Sequence, residues 1–472
     1  MIDWINVFIS IFIPTTLGYI ILSILINKKI NSLMKISLSY GLGMGVLAIW
    51  MLFIAIIGLR FNIITIKMPL ILLILSLSLR LFIRRKYCRP STKNLPATTL
   101  FSISNVKYYV STHITKTILY TILLCYIAHN IFFVFWQATN IPIYTWDALA
   151  TIAFKAKIFF FEGKLPNLNL LPHKTYPLLV PFLETWVAIN LGHWDDQLIK
   201  IIFPYAFISF LGIFYSFLKI YTNRLWALIG SSILLSSNLF VYHATISYRD
   251  FFLMYYNCST IILLLLWDKT KSPSILLLSS LFAGFATFTK LEGTAFLPIL
   301  LLFFLLIILR QNYPIKKKIK QIIIFTIPAT SICLSYHIYK ITHNVIKSDK
   351  TVFDFTLSKL LLFPHIIIVF LRNMFLSSNW SIVWIVFFIS LLRLKENIYN
   401  KKTALSIIFV ILLFFTEYAL VALFTANYVW IAGDLNMMGL SRLLLHFYPL
   451  SVLTIILLAG SPYIDKTHQN NY

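Results

Sequence analysis

Long apolar runs separated by short polar stretches fill almost the whole chain, and they predict an all-α, polytopic membrane protein. The runs fall near 4–26, 36–59, 69–83, 117–138, 198–218, 225–246, 251–267, 274–289, 294–309, 321–339, 380–393, 403–425 and 442–460, about 13 spans in all. Most approach the ~20 residues that cross a hydrocarbon core of about 30 Å. The first run has no basic leader and no small-residue cleavage site, so it reads as an uncleaved span.

Lys28 and Lys29 after the first run place that loop on the cytoplasmic side, with the N-terminus outside. Alternation then puts 84–116, Lys219–Arg224, Asp268–Lys271, Arg310–Lys320 and Arg393–Lys402 inside, and all five are basic or mixed. Residues 360–376 are apolar, but as a full span they would send Arg393–Lys402 outside. They are therefore expected to be re-entrant or interfacial on the outer face.

The chain divides accordingly into three parts. Residues 1–116 hold three spans and a basic cytoplasmic loop, 117–310 a core with the outer loop 139–197, and 311–472 the C-terminal spans. In that outer loop, Leu149, Ile152, Ala153, Ala156, Phe159 and Phe160 recur at helical spacing. Lys155 and Lys157 fall elsewhere around the helix, which suits a position in the membrane interface. A second apolar stretch, Leu178–Leu191, follows His173-Lys174-Thr175-Tyr176-Pro177.

The net charge of +25 alters this picture little. Arg84, Arg85, Lys86 and Arg89 share one loop, and Arg310, Lys316, Lys317, Lys318 and Lys320 another. Cations so grouped set topology and contact anionic membrane lipids, and they argue against nucleic acid as a partner. Cys88, Cys125, Cys258 and Cys333 show neither a disulfide framework nor a CxxC metal motif.

Acids carry more information, because only 15 of 472 residues are Asp or Glu. Under this topology Asp147, Asp250, Glu292 and Asp434 lie at outer boundaries of apolar runs, several beside a cation. Asp147, at the head of the outer-loop helix, could take a proton from an acceptor hydroxyl, or simply cap the helix. Arg249 and Asp250 stand together at a turn, as a site or as a mutual ion pair. In Thr289-Lys290-Leu291-Glu292-Gly293, Lys290 is placed to meet a phosphate or to snorkel. Arg442 opens the last run, with His446 one turn deeper on the same face. Trp146, Lys155, Lys157, His173, Tyr176 and Glu292 complete the expected substrate-binding set.

These residues resemble the GT-C class of integral-membrane glycosyltransferases, which includes the protein O-mannosyltransferases and the aminoarabinose transferase of lipid A. The likeness covers under half the chain. It rests on Asp147 and its following helix, on Asp250, on a TK-x-x-G type turn at Thr289–Gly293, and on Arg442. The stretch Trp146-Asp147-Ala148 … Phe154-Lys155-Ala156-Lys157 … Tyr176-Pro177-Leu178-Leu179-Val180-Pro181 is also similar to bacterial members of the class. The resemblance implies an inverting transferase that moves a sugar from a polyprenyl-phosphate donor to a lipid or glycan acceptor. Asp147 would act as base with Asp250 beside it, and Lys290, Arg442 and Arg249 would face the donor phosphate. No cofactor is required, although a divalent metal could sit between Asp147 and Asp250 if they converge. The expected setting is a bacterial inner membrane with the site facing the periplasm or exterior. Two departures stand out: three spans precede the Asp147 loop, and no soluble C-terminal domain follows. A transporter or flippase, built on buried Glu417 and His337, and a polysaccharide polymerase or ligase remain rival readings.

Overall fold

The computed structural model describes residues 2–26, 30–87, 114–346, 353–396, 399–433 and 437–460. The expectations for Lys28, Lys29, Cys88, Arg89 and Asp434 lie outside them, as do the side chains of Arg84, Arg85 and Lys86. Helices account for the architecture, and among the described residues there are no strands. They are α1 (Ile2–Leu25), α2 (Ser32–Ile56), α3 (Ile63–Tyr87), α4 (Ile114–Asn140), α5 (Ala153–Glu162), α6 (Leu179–Leu191) and α7 (Ile202–Tyr221). Next come α8 (Arg224–Leu235), α9 (Asn238–His243), α10 (Arg249–Thr270), α11 (Pro273–Thr289), α12 (Leu291–Leu309) and α13 (Ile315–Thr342). The last are α14 (Phe363–Leu376), α15 (Val383–Leu391), α16 (Lys401–Phe424), α17 (Tyr428–Ala432), α18 (Met437–Leu445) and α19 (Tyr448–Ala459).

Among the described residues ten helices are long and apolar enough to cross a bilayer, or eleven if α18 and α19, bent by 53°, make one span. The protein is an integral membrane protein.

Four of the predicted inner loops gather at one end. Asp268 takes Lys271 at 2.6 Å and Lys402 at 3.4 Å, and also accepts from the Gln311 amide. Lys269 donates to the Ile220 carbonyl at 3.3 Å, and Asn400 to that of Tyr221 at 3.4 Å. The loops near residues 220, 270, 310 and 400 are thus tied together, which places the turns before α10 and between α11 and α12 at the other end.

Three runs differ from a single helix. The run 225–246 breaks at Ser236–Ser237, where the Ser237 hydroxyl caps α9 by accepting the Phe240 N–H at 3.2 Å. Such local capping competes with helix continuation and is invisible to hydropathy. The run 380–393 begins in a 3₁₀ turn, so α15 spans only Val383–Leu391. The third, 442–460, bends between α18 and α19, just beyond His446.

The segment expected to be re-entrant forms a 3₁₀ turn, Leu357–Leu362, leading into α14. It is long and apolar enough to span. Before it, the Asp354 N–H bonds the carbonyl of Phe424 at the end of α16. Near its far end, Asn373 bonds Ser441, the neighbour of Arg442, at 3.0 Å.

The N-terminal spans are built into the core. A Cβ on Gly43 would stand 1.8 Å from the Pro14 carbonyl of α1, and one on Gly41 2.2 Å from the Tyr255 hydroxyl. Glycine lets α2 approach α1 at backbone range, the usual basis of close helix contacts in lipid, and lets the Tyr255 ring of α10 lie against the α2 backbone. Trp186 of α6 then donates to the Ser10 carbonyl at 2.7 Å. Through these contacts α1 and α2 brace the helices that present the outer loop.

That loop corrects two expectations. A π-turn at Ala148–Ile152 precedes α5, and its extra residue per turn rotates Leu149 off the apolar face. Leu149 is exposed, while Ile152, Ala153, Ala156 and Phe159 are buried as predicted. Lys155 is not on the polar side; it is fully buried, and Phe154 is exposed instead.

Candidate functional site: a buried ion network at one end of the bundle

Asp250 sits in the first turn of α10 with its side chain fully buried. A carboxylate taken out of water needs cations and donors on both oxygens, and three elements supply them. Arg442 of α18 directs Nε and Nη2 to Oδ2 at 3.2 and 2.8 Å. On the other oxygen, Oδ1, Lys290 Nζ lies at 2.9 Å and His446 Nε2 at 3.1 Å. A neutral His446 ring protonated on Nε2 satisfies this arrangement, since its Nδ1 lies 2.6 Å from the Tyr418 hydroxyl.

Lys290 occupies an extended residue between α11 and α12, at φ −152° and ψ 158°. The tight reversal is possible because Gly293 has no Cβ, which would stand 2.0 Å from the Ala286 carbonyl. Lys290 also reaches Glu292 at 2.6 Å. Burial disfavours its charge, but the Asp250 and Glu292 carboxylates outweigh burial and raise its pKa. Lys290 therefore stays an ammonium.

Asp147 joins from the outer loop. Its side chain does not cap the following turn, so the capping reading fails. Instead Oδ2 accepts from Arg442 Nη1 at 2.6 Å, and the side chain remains 36% exposed. The arginine bridges a buried acid and a surface acid, with its guanidinium over the Tyr248 ring at 4.6 Å. A guanidinium carries five N–H groups, so some remain beyond the three these carboxylates engage. The two aspartates thus grip a guanidinium and do not converge on an empty point. No group of three or more His, Cys, Asp or Glu that could hold a metal occurs among the described residues. This donor set does not fit a divalent cation between Asp147 and Asp250.

Arg249 does not pair with its neighbour Asp250. Successive residues on a helix diverge by about 100°, and Arg249 turns to the Tyr176 ring, 5.1 Å away. It is 4% exposed, and its Nε and Nη2 have no hydrogen-bond partner. Close by, Lys155 donates to the His173 carbonyl at 2.7 Å. Burial pushes the Lys155 pKa well down, and the Arg249 charge adds to the effect. His173 is exposed with its ring edge-on to Tyr176 at 5.1 Å, and the Tyr176 carbonyl accepts from Tyr336 at 2.8 Å. Burial, with Glu292 second, raises the Tyr176 pKa.

Asp147, Asp250, Lys290, Glu292, Arg442 and His446 therefore meet in one network, with Arg249, Lys155, His173 and Tyr176 in a second group beside it. Trp146 and Lys157 belong to neither: Trp146 is 79% exposed, and Lys157 lies over Trp194 at 5.9 Å. Tyr418 and Tyr248, which touch this network, and the buried Glu184 are not among the residues the sequence predicts. Tyr248 directly precedes Arg249-Asp250, a signal that could have been read. Glu184 gives none, lying inside an apolar stretch. Its fully buried carboxyl accepts from the Ser247 hydroxyl, and burial raises its pKa to about 8.

Comparison with family models, with curated proteins and with solved structures gives no match.

Proposed function

We propose that this protein is a membrane glycosyltransferase of GT-C type, carrying a sugar from a polyprenyl-phosphate donor to a lipid or glycan acceptor at the outer face. The observation that carries the reading is the linkage of Asp147 through Arg442 to Asp250. A half-exposed carboxylate is fixed at the mouth of a buried, cation-bearing site, close to the membrane interface.

In this reading Asp147 accepts the acceptor hydroxyl proton as that oxygen attacks the anomeric carbon. The bond from the anomeric carbon to the phosphate oxygen breaks, and the electron pair leaves with the polyprenyl phosphate. Arg442 and Lys290 stabilise the growing negative charge, an electrostatic contribution that is commonly the largest in catalysis. Asp250 and Glu292 hold those two cations in place, and His446 orients Asp250. Inversion follows from a single displacement. The reading takes thirteen traverses with α14 returning to the outer face, and a bacterial inner membrane with the site facing the periplasm or exterior.

One observation favours a second reading. Glu417, within α16, has a buried carboxyl oxygen with no partner, as an ion- or proton-coupled transporter would place it. The two readings separate in proteoliposomes given a polyprenyl-phosphate-sugar lipid extract. A transferase releases free polyprenyl phosphate, and Asp147→Asn does not. A transporter releases none, and its flux fails with Glu417→Gln.

A further inference from the structure

Arg442 must reach two acids at once, yet the helix that carries it is short. α18 runs only from Met437 to Leu445, and a 53° bend follows it. A helix of that length is marginal alone and takes its placement from tertiary contacts. One such contact is made by Ser441, the residue before Arg442. Adjacent helical residues point about 100° apart, so Ser441 faces α14 while Arg442 faces Asp147 and Asp250.

Two amides converge on the Ser441 hydroxyl. Asn373 of α14 donates to it at 3.0 Å, and Asn379, in the 3₁₀ turn Ser378–Trp380, at 2.9 Å. A hydroxyl oxygen has two acceptor lone pairs, and the two amides match them. Asn373 and Ser441 are both fully buried. Trp380 Nε1 donates to Asn373 Oδ1 at 3.1 Å, which fixes the orientation of that amide.

The turn is held from its other side by the break in the run 225–246. The Ser237 hydroxyl donates to the Asn379 carbonyl at 2.8 Å, and the Ser381 hydroxyl to the Ser236 carbonyl at 2.7 Å. Ser381 sits at φ 50° and ψ −130°, a backbone region that favours glycine. A serine stays there only when its surroundings impose it, and strain of this kind gathers where placement matters for function. A strained residue and a broken helix thus meet at the segment that grips Ser441.

We infer that Asn373 and Asn379 are positioning residues for Arg442, acting through Ser441, with the α8–α9 break as their mount. They fix the α18 backbone so that one guanidinium meets both aspartates. Their effect on sugar transfer rests on the transferase reading, whereas their placement of Arg442 does not.

The test uses the full chain in detergent, labelled with heavy nitrogen at arginine, and reads the Nε–H resonance that Arg442→Lys removes. In Ser441→Ala and Asn379→Ala that resonance should move or broaden. Transfer should fall about tenfold or more, as displacement of a catalytic group commonly costs. Ser441→Thr, which keeps the hydroxyl, should restore both. Asn379 is only half-buried, so its truncation keeps the test open where Ser441→Ala does not fold. A purely packing role would lower the melting point and leave the resonance of the folded variants at its wild-type position, and that result overturns the inference. A resonance that moves while even the wild type transfers no sugar would sink the functional proposal and leave the positioning role standing.

Discussion

Arg442 lays the Nε–Nη2 edge of its guanidinium on a single oxygen of Asp250, at 3.2 and 2.8 Å, and turns its remaining nitrogen to Asp147. The deeper carboxylate anchors the arginine and the shallower one is held by it. Asp250 is fully buried and each of its oxygens accepts two bonds, so its task is to position Arg442 and Lys290. Asp147 alone of the two keeps access to an incoming group.

Removing the anchor should therefore cost stability. Asp250→Asn removes the buried carboxylate charge that Arg442, Lys290 and His446 share, a defect of about 3–5 kcal/mol for broken buried pairs. Thermal unfolding in detergent should show a clear drop for Asp250→Asn. A melting point equal to wild type would show that Asp250 is not the anchor.

Asp147→Asn should behave differently. The amide oxygen can still accept from Arg442, so the melting point should stay near that of the parent. Transfer should fall by about 10²-fold or more, the usual contribution of a general base. A variant with near-normal turnover would take Asp147 out of that role.

Gly293→Ala probes the reversal that places Lys290. The added methyl would meet the Ala286 carbonyl at 2.0 Å, a backbone atom that cannot swing aside. The α11–α12 turn should open, lowering both the melting point and any activity that requires Lys290. An alanine variant indistinguishable from wild type in both assays would mean that Lys290 is positioned independently of this close approach.

Glu184 gives a pH dependence with a definite sign. Burial raises its folded pKa from 4.5 to about 8. The protonated carboxyl favours the folded state fully below about pH 4.5, and that stability is lost as pH rises through about 8. Glu184→Gln should flatten this part of the profile, giving a protein relatively more stable at alkaline pH. Parallel wild-type and variant melting curves across that window would exclude the carboxyl as its source.

Much of the architecture could be read from hydropathy and charge, because each span must satisfy its own backbone in lipid and each basic loop must stay inside. The same logic put Asp147, Asp250, Lys290 and Arg442 on one side, and they meet in space. What escaped depends on local geometry. A serine cap split the run 225–246, and a π-turn rotated Leu149 outwards. Adjacency suggested an Arg249–Asp250 pair, whereas helix geometry sends the two apart. The burial of Lys155 follows from the loop folding over it, which no periodicity encodes.

Native mass spectrometry of the purified protein and its Asp147→Asn variant tests the central claim most directly. A polyprenyl-phosphate sugar retained on the variant beyond wild type is the predicted result, and its mass would identify the sugar. Bulk phospholipid alone on both, from cells that make such carriers, would contradict a transferase site at Asp147 and favour transport.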